Sequence, residues 1–181
     1  MDRYHLPTLA ELSPSLIAEL RSDHAGETGA VYIYKGILAG TKLASLREFA
    51  AEHLRTEQRH LDFFDSWLRP QDKSVFITLW RLAGWCLGFI SALAGPNAVF
   101  ASIDVVERFV VQHYQQQIAT LQAQSQWPEV AAVLQSFMHD EAAHREDAAR
   151  RAEPQAGPIL RLWLFMVEHG SALAVAVARR C

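Results

Sequence analysis

Apolar residues recur along most of this chain at three- and four-residue spacing, and nowhere do they alternate as in a half-buried strand. Proline and glycine punctuate that pattern into six helices. Ser13-Pro14 supplies a capping hydroxyl and a first-turn proline, predicting a helix over about 14–39 that ends at Gly40. A second is predicted over 41–67, stopped by Arg69-Pro70, and a third over 74–93, bounded by Gly95-Pro96. Asn97 is expected to cap a fourth over 97–125, which ends near Trp127-Pro128. A fifth covers 128–152. After Glu153-Pro154-Gln155-Ala156-Gly157-Pro158, a sixth runs over 158–179. The fold class is therefore all-α: a four-helix bundle with two additional apolar helices, in a single domain spanning 1–181.

The two additional helices differ in kind from the rest. From Val75 to Leu93 the third is apolar nearly all round, with Arg81 its one charge. At about 19 residues it sits at the lower edge of a membrane span. A span would place Arg81 in hydrocarbon and break the bundle, so a helix lying at the membrane interface is favoured, with Trp80 and Trp85 at headgroup level. A buried core helix is the competing reading. Gly84 and Gly88 form a small-x-x-x-small pair suited to close helix packing or to an open groove. The sixth helix is also strongly apolar, broken by Arg161, Glu168 and His169. Together these helices are more hydrophobic surface than a soluble four-helix bundle needs, which predicts a lipid-tail channel or a membrane dock.

The other four helices carry the candidate chemistry. Glu57-Gln58-Arg59-His60 and Glu141-Ala142-Ala143-His144 each set a carboxylate and an imidazole on one helix face. Each follows a further glutamate, Glu27 about 30 residues before the first motif and Glu107 about 34 before the second, as in a duplicated helical hairpin. With twelve Glu and eight His in 181 residues, chance supplies roughly half a Glu-x-x-His, so two in this arrangement are informative. One Glu from each of two helices and one Glu-x-x-His from each of two others is the ligand set of a carboxylate-bridged di-iron or di-manganese site. Asp23, Asp140 and Asp104 are candidate acceptors for the outer N–H of the ligating imidazoles. His53 shares a face with Glu57 and His60 but reads as a polar packing residue, and His24, His139 and His169 have no recruiting spacing.

Composition adds mainly exclusions. The net charge is −3 and the pI about 6.2, with no sign of a nucleic-acid surface. Cys86 and Cys181 are too far apart for a C-x-x-C iron site, and Cys86 lies among apolar residues. The segment Met1–Pro7 has neither the apolar run of a signal peptide nor the acid-poor basic character of a transit peptide, so an intracellular protein is expected. No glycine-rich dinucleotide motif occurs, leaving the source of electrons open.

Asp23-His24-Ala25-Gly26-Glu27-Thr28-Gly29-Ala30, followed by Ile33-Tyr34 and Gly36, resembles the first ligand helix of the demethoxyubiquinone hydroxylase family. The similarity continues through Glu57-Gln58-Arg59-His60-Leu61, Arg69-Pro70, Val106-Glu107, His113-Tyr114, Gln117-Ile118 and Asp140-Glu141 with His144. The resemblance implies a ferritin-like fold and two iron ions held by Glu27, Glu57, His60, Glu107, Glu141 and His144. It further implies O₂-dependent hydroxylation of a polyprenyl benzoquinol ring in ubiquinone biosynthesis. By the same resemblance His113 and Tyr114 lie near the quinol and help move protons or electrons. A hydrogen bond from Tyr114 to a ligand carboxylate is the plainer alternative. Arg108, Gln112 and His139-Asp140 depart from the family's usual neighbours and leave the ring substitution pattern open. The expected setting is peripheral, on the cytoplasmic face of the inner (cell) membrane, with room for a lipid-presenting partner. A ferritin- or rubrerythrin-like protein that handles iron or scavenges peroxide would share the ligands and is the alternative function.

Overall fold

The computed structural model describes residues 6–154 and 156–181. The N-terminal reading at Met1–His5 and the loop residue Gln155 lie outside the described residues. Among the described residues there are six α-helices and no strand: α1 Pro14–Gly40, α2 Ala44–Trp67, α3 Ile77–Ala94, α4 Pro96–Ala123, α5 Pro128–Arg151 and α6 Pro158–Ala178. A single 3₁₀ turn, Pro70–Asp72, links α2 to α3.

Helix ends follow local chemistry. Ser13 caps α1 as expected, its Oγ accepting from Leu16 N at 3.2 Å. α2 starts three residues later than predicted, because Thr41 and Leu43 are extended and the Thr41 hydroxyl accepts from Leu43 N instead of continuing a helix. α3 likewise starts late: Ser74 Oγ accepts from Phe76 N and from Trp80 Nε1, at 3.3 and 3.0 Å, which closes a turn ahead of the helix. Asn97 is not the cap of α4. Gly95 takes that position at φ 107°, a left-handed value that favours glycine, with Pro96 at N1. The Asn97 side chain instead accepts from Glu153 N at 2.8 Å, tying down the loop before α6.

α1–α2 and α4–α5 are two hairpins joined by short turns, and within each the helices pack along their length. Between hairpins the backbones approach less closely, leaving an interior wide enough for long polar side chains. One apolar cluster, including Ile33, Phe49, Val99 and Ile103, fills one end. A second, including Leu20, Phe64, Ile118 and Leu134, fills the other. All six predicted ligands fall in sequence between the two clusters, at mid-height.

α3 lies against α1 more intimately than any hairpin partner, and glycine is the reason. A Cβ on Gly88 would stand 1.9 Å from Ile33 O, one on Gly84 2.3 Å from Gly29 O, and one on Gly36 2.2 Å from Trp85 O. The Gly84/Gly88 pair thus serves close packing, with Gly36 reciprocating from α1. This leaves the rest of α3 outside. Leu79, Leu82, Ile90 and Leu93 are exposed, so a fully buried core helix is excluded. Trp80 and Trp85 are only half-buried, Trp80 bonded to Ser74 and Trp85 stacked on Phe89 at 4.6 Å. α6 packs on α4 and α1 and exposes Leu162, Phe165, Met166 and Leu173.

Candidate metal centre

α1 brings in Glu27, α2 Glu57 and His60, α4 Glu107, and α5 Glu141 and His144; all six are buried. Their donor atoms form two overlapping groups, Glu27/Glu57/His60/Glu141 and Glu57/Glu107/Glu141/His144, each within 4.8 Å throughout. Glu57 and Glu141 belong to both groups and lie where the two overlap. Glu27 with His60, and Glu107 with His144, sit at the two ends.

His60 Nδ1 is 2.9 Å from Glu141 Oε1, and His144 Nδ1 is 2.8 Å from Glu57 Oε1. These approaches are close but not aligned as hydrogen bonds. Both Nδ1 atoms, Glu27 Oε2, Glu57 Oε1 and both oxygens of Glu141 are buried without a hydrogen-bond partner. Orphaned buried polar atoms are rare, and six converging on one interior point fit cation ligation. The donor set, carboxylate and imidazole with no thiolate, suits iron or manganese.

The electrostatics agree. Burial, reinforced by the charge on Glu141, pushes Glu57 up to about 8. Burial, then Glu141 and Glu57, holds Glu107 well above the usual carboxylate range, and burial raises Glu27. Burial acts downward on the two imidazoles, but carboxylates outweigh it: Glu141 and Glu27 push His60 up to about 12, and Glu141 and Glu57 push His144 up to about 11. Burial opposes the charge on Glu141, yet the two imidazoles hold it at about 2. Metal-free, the cluster compensates its charge with protons that a cation would displace.

Around the donors, Asp140 faces His60 Nε2 at 3.1 Å, the role expected of it. Asp23 and Asp104 do not reach either ligand imidazole. Asp23 lies a full turn from Glu27, level with α4 residues, where it accepts from Gln117 Nε2 at 2.6 Å and pairs with His113 Nε2 at 3.1 Å. Asp104 pairs with Arg108 and Arg145 at the outer edge. Tyr114 donates its hydroxyl to Glu27 Oε1 at 2.5 Å, the plainer of its two expected roles. His113, beside it, also lies near Arg179 of the last turn, Nη2 to Nδ1 3.4 Å.

A cavity of about 630 Å³ runs from the exposed sides of α3 and α6 to this cluster. Leu79, Ile90, Met166 and Leu173 line its outer part, and Cys86 sits along its wall as a small apolar group. Glu27, Glu57, Glu107 and Glu141 lie at its inner end with His113 and Tyr114, while His60 and His144 lie outside it. A molecule in the cavity would meet the carboxylate side of the centre, a polar end on an otherwise apolar passage.

Residues 15–178 match the family described as ubiquinone biosynthesis protein COQ7. The chain belongs to this family. Among COQ7-type relatives, a Rhodospirillum rubrum protein named 3-demethoxyubiquinol 3-hydroxylase is 32% identical over 173 residues, 93% of this chain and 80% of its own. A Dictyostelium discoideum protein named NADPH-dependent 3-demethoxyubiquinone 3-hydroxylase, mitochondrial, is 29% identical over 167 residues, 89% of this chain and 75% of its own. The Homo sapiens protein of the same name is 27% identical over 181 residues, 96% and 82% of the two chains.

Spacing alone did not single out two further residues of this COQ7-family centre. Tyr34 donates to Glu107 Oε1 at 3.1 Å, mirroring Tyr114 on Glu27. A signal was present: each tyrosine stands seven residues after a candidate ligand on its own helix, and each crosses to the other helix's glutamate. His53 is buried and stacks on His144 at 4.2 Å, a contact between α2 and α5 that no spacing within one helix displays.

Proposed function

We propose that this chain, acting as one ferritin-like unit, is a di-iron monooxygenase that hydroxylates the ring of a polyprenyl demethoxybenzoquinol in ubiquinone biosynthesis. One observation carries the reading: in a COQ7-family chain, an apolar cavity opens between two exposed apolar helices and ends on four carboxylates and a His-Tyr pair. The relatives' names give the ring substrate; the cavity supplies the reason a prenylated ring would fit here. Its apolar walls favour the tail, and its polar inner end favours the quinol head.

Glu27, Glu57, His60, Glu107, Glu141 and His144 would hold the two irons. When bound, the irons would supply O₂ reduction, one oxygen atom ending on the ring carbon and the other leaving as water with two electrons and two protons taken up. Asp140 orients His60 from behind, and Tyr114 and Tyr34 fix Glu27 and Glu107. His113, held by Asp23 and Gln117, has its ring at the inner wall, where it can receive a proton from the quinol hydroxyl. α3 and α6 flank the passage to the site and turn apolar faces outward. Both are long and apolar enough to cross a membrane, with 22% and 6% of their apolar 18-residue stretches buried, and each is packed along bundle helices. The packing favours docking as a peripheral protein; the dock we propose is the cytoplasmic face of the inner membrane, where a prenylated substrate resides, and a lipid-presenting partner would use the same faces.

The test is a single turnover of iron-loaded, reduced protein with a short-chain demethoxyubiquinol and ¹⁸O₂. A quinone heavier by one labelled oxygen atom is expected. Absence of labelled product from protein holding two irons would move the assignment to iron or peroxide handling.

A further inference from the structure

The two halves of the centre are related by an internal two-fold repeat that reaches beyond the ligands. Glu27 corresponds to Glu107, the Glu57/His60 motif to Glu141/His144, and Tyr34 to Tyr114. Four residues before each Glu-x-x-His, an aromatic ring lies flat on the opposite motif's imidazole: Phe137 on His60 at 4.1 Å and 22°, His53 on His144 at 4.2 Å and 18°. Here the symmetry breaks. Phe137 can only stack. His53 Nδ1 also sits 3.2 Å from the Tyr34 hydroxyl, which donates to Glu107 Oε1 at 3.1 Å. With the proton on Nδ1, donors run in one direction, from His53 to Tyr34 to Glu107. On its far side His53 Nε2 lies 3.3 Å from Asp147 Oδ2, an acceptor-only group not aligned with it as a hydrogen bond.

We infer that His53 is a positioning residue for one half of the metal centre, gripping His144 by stacking and Glu107 through Tyr34, a coupling of the two ligands that the half bearing His60 lacks. The inference rests on the proposed two-metal reading. Its physical basis is that ligands whose orientation is fixed in advance lose less freedom on binding, and groups buttressing a ligand commonly carry 10–100-fold in metal affinity. Glu107 and His144 are the two ligands that this half does not share with the other. Both are touched by the same two-residue strut, His53 and Tyr34, whereas His60 and Glu27 are supported separately, by Phe137 with Asp140 and by Tyr114.

The test uses the full chain, metal-free, titrated anaerobically with Co(II) and followed by visible absorption and calorimetry. Wild type should take two Co(II) per chain; fewer would sink the two-metal reading and this inference with it. His53→Phe keeps the stack and recreates the Phe137 arrangement, removing the Nδ1 contact with Tyr34 and the Nε2 contact with Asp147. In a His60→Ala background, where the remaining ion sits beside His144, His53→Phe should weaken Co(II) binding about tenfold. In a His144→Ala background it should change nothing. Tyr34→Phe, which removes one buried hydroxyl and little else, should reproduce that selectivity if His53→Phe folds poorly. Equal weakening in both backgrounds, or no weakening in either, overturns the assignment, because a residue that only packs has no reason to distinguish the halves.

Discussion

At the scale of single residues, the centre trades protons for cations, and the direction of that trade can be worked out. Glu57 is raised from its ordinary value near 4.5 to about 8, and His60 and His144 from near 6.5 to about 12 and 11. A group whose folded pKa is raised contributes stability below its unfolded pKa and loses it as pH climbs toward the folded value. All three therefore make metal-free protein less stable as pH rises from about 6.5 to 8. Glu141 is depressed, to about 2, so its contribution is fully present across that window and does not offset the fall. Bound metal needs these groups deprotonated, so its affinity rises over the same interval. The gap in melting temperature between metal-loaded and metal-free protein should accordingly widen from pH 6.5 to pH 8, measured by calorimetry at fixed free metal. A gap that stays constant or narrows would mean that these side chains do not surrender protons to metal.

At the scale of helices, what the sequence discloses depends on whether the decisive contact lies within one helix or between two. Glu57 and His60, or Glu141 and His144, share a face by spacing alone, and the structure brings all four together with Glu27 and Glu107. Helix ends at Ser13-Pro14 and Pro128 were equally local. Tyr34 and His53 were not, since their partners Glu107 and His144 are on other helices. Asn97 looked like a cap, but its side chain is drawn to Glu153 across the fold. Gly84 and Gly88 were legible as close-packing residues, though not the identity of their partner, α1. That partner makes the pair testable. A methyl on Gly88 would meet the backbone carbonyl of Ile33 at 1.9 Å, and neither helix backbone can yield without moving the glutamate one and a half turns before it. Gly88→Ala should cost about 3 kcal/mol, lowering the melting temperature by on the order of 10 °C. An unchanged melting temperature would show that α3 is not held to α1 this tightly.

At the scale of the whole molecule, the bundle presents one unusual face. The outer sides of α3 and α6 place Leu82, Leu93, Leu162 and Phe165 in solvent, all more than half exposed, around a cavity mouth formed by Leu79, Ile90, Met166 and Leu173. A water-facing protein gains nothing from such a rim, whereas a protein drawing a prenylated ring out of a bilayer needs the passage and the dock to coincide. The charged side chains on these helices, Arg81, Arg161 and Glu168, are exposed, so they can stay with headgroups while the leucines enter the acyl boundary. Leu82 and Phe165 are the sharpest probes because they lie off the cavity wall. Fully burying an apolar side chain of this size is worth about 1.5–3 kcal/mol, so replacing both with Glu should weaken binding to phosphatidylcholine vesicles by at least about tenfold even if insertion is partial. Turnover of a water-soluble short-chain quinol should be unaffected, since the cavity and the six ligands are untouched. Added salt should do little to wild-type binding, because the contact is apolar rather than ionic. Vesicle binding that survives the double substitution would remove the dock and leave the exposed face to another protein, whereas loss of both binding and soluble-substrate turnover would mean that the rim holds the bundle together.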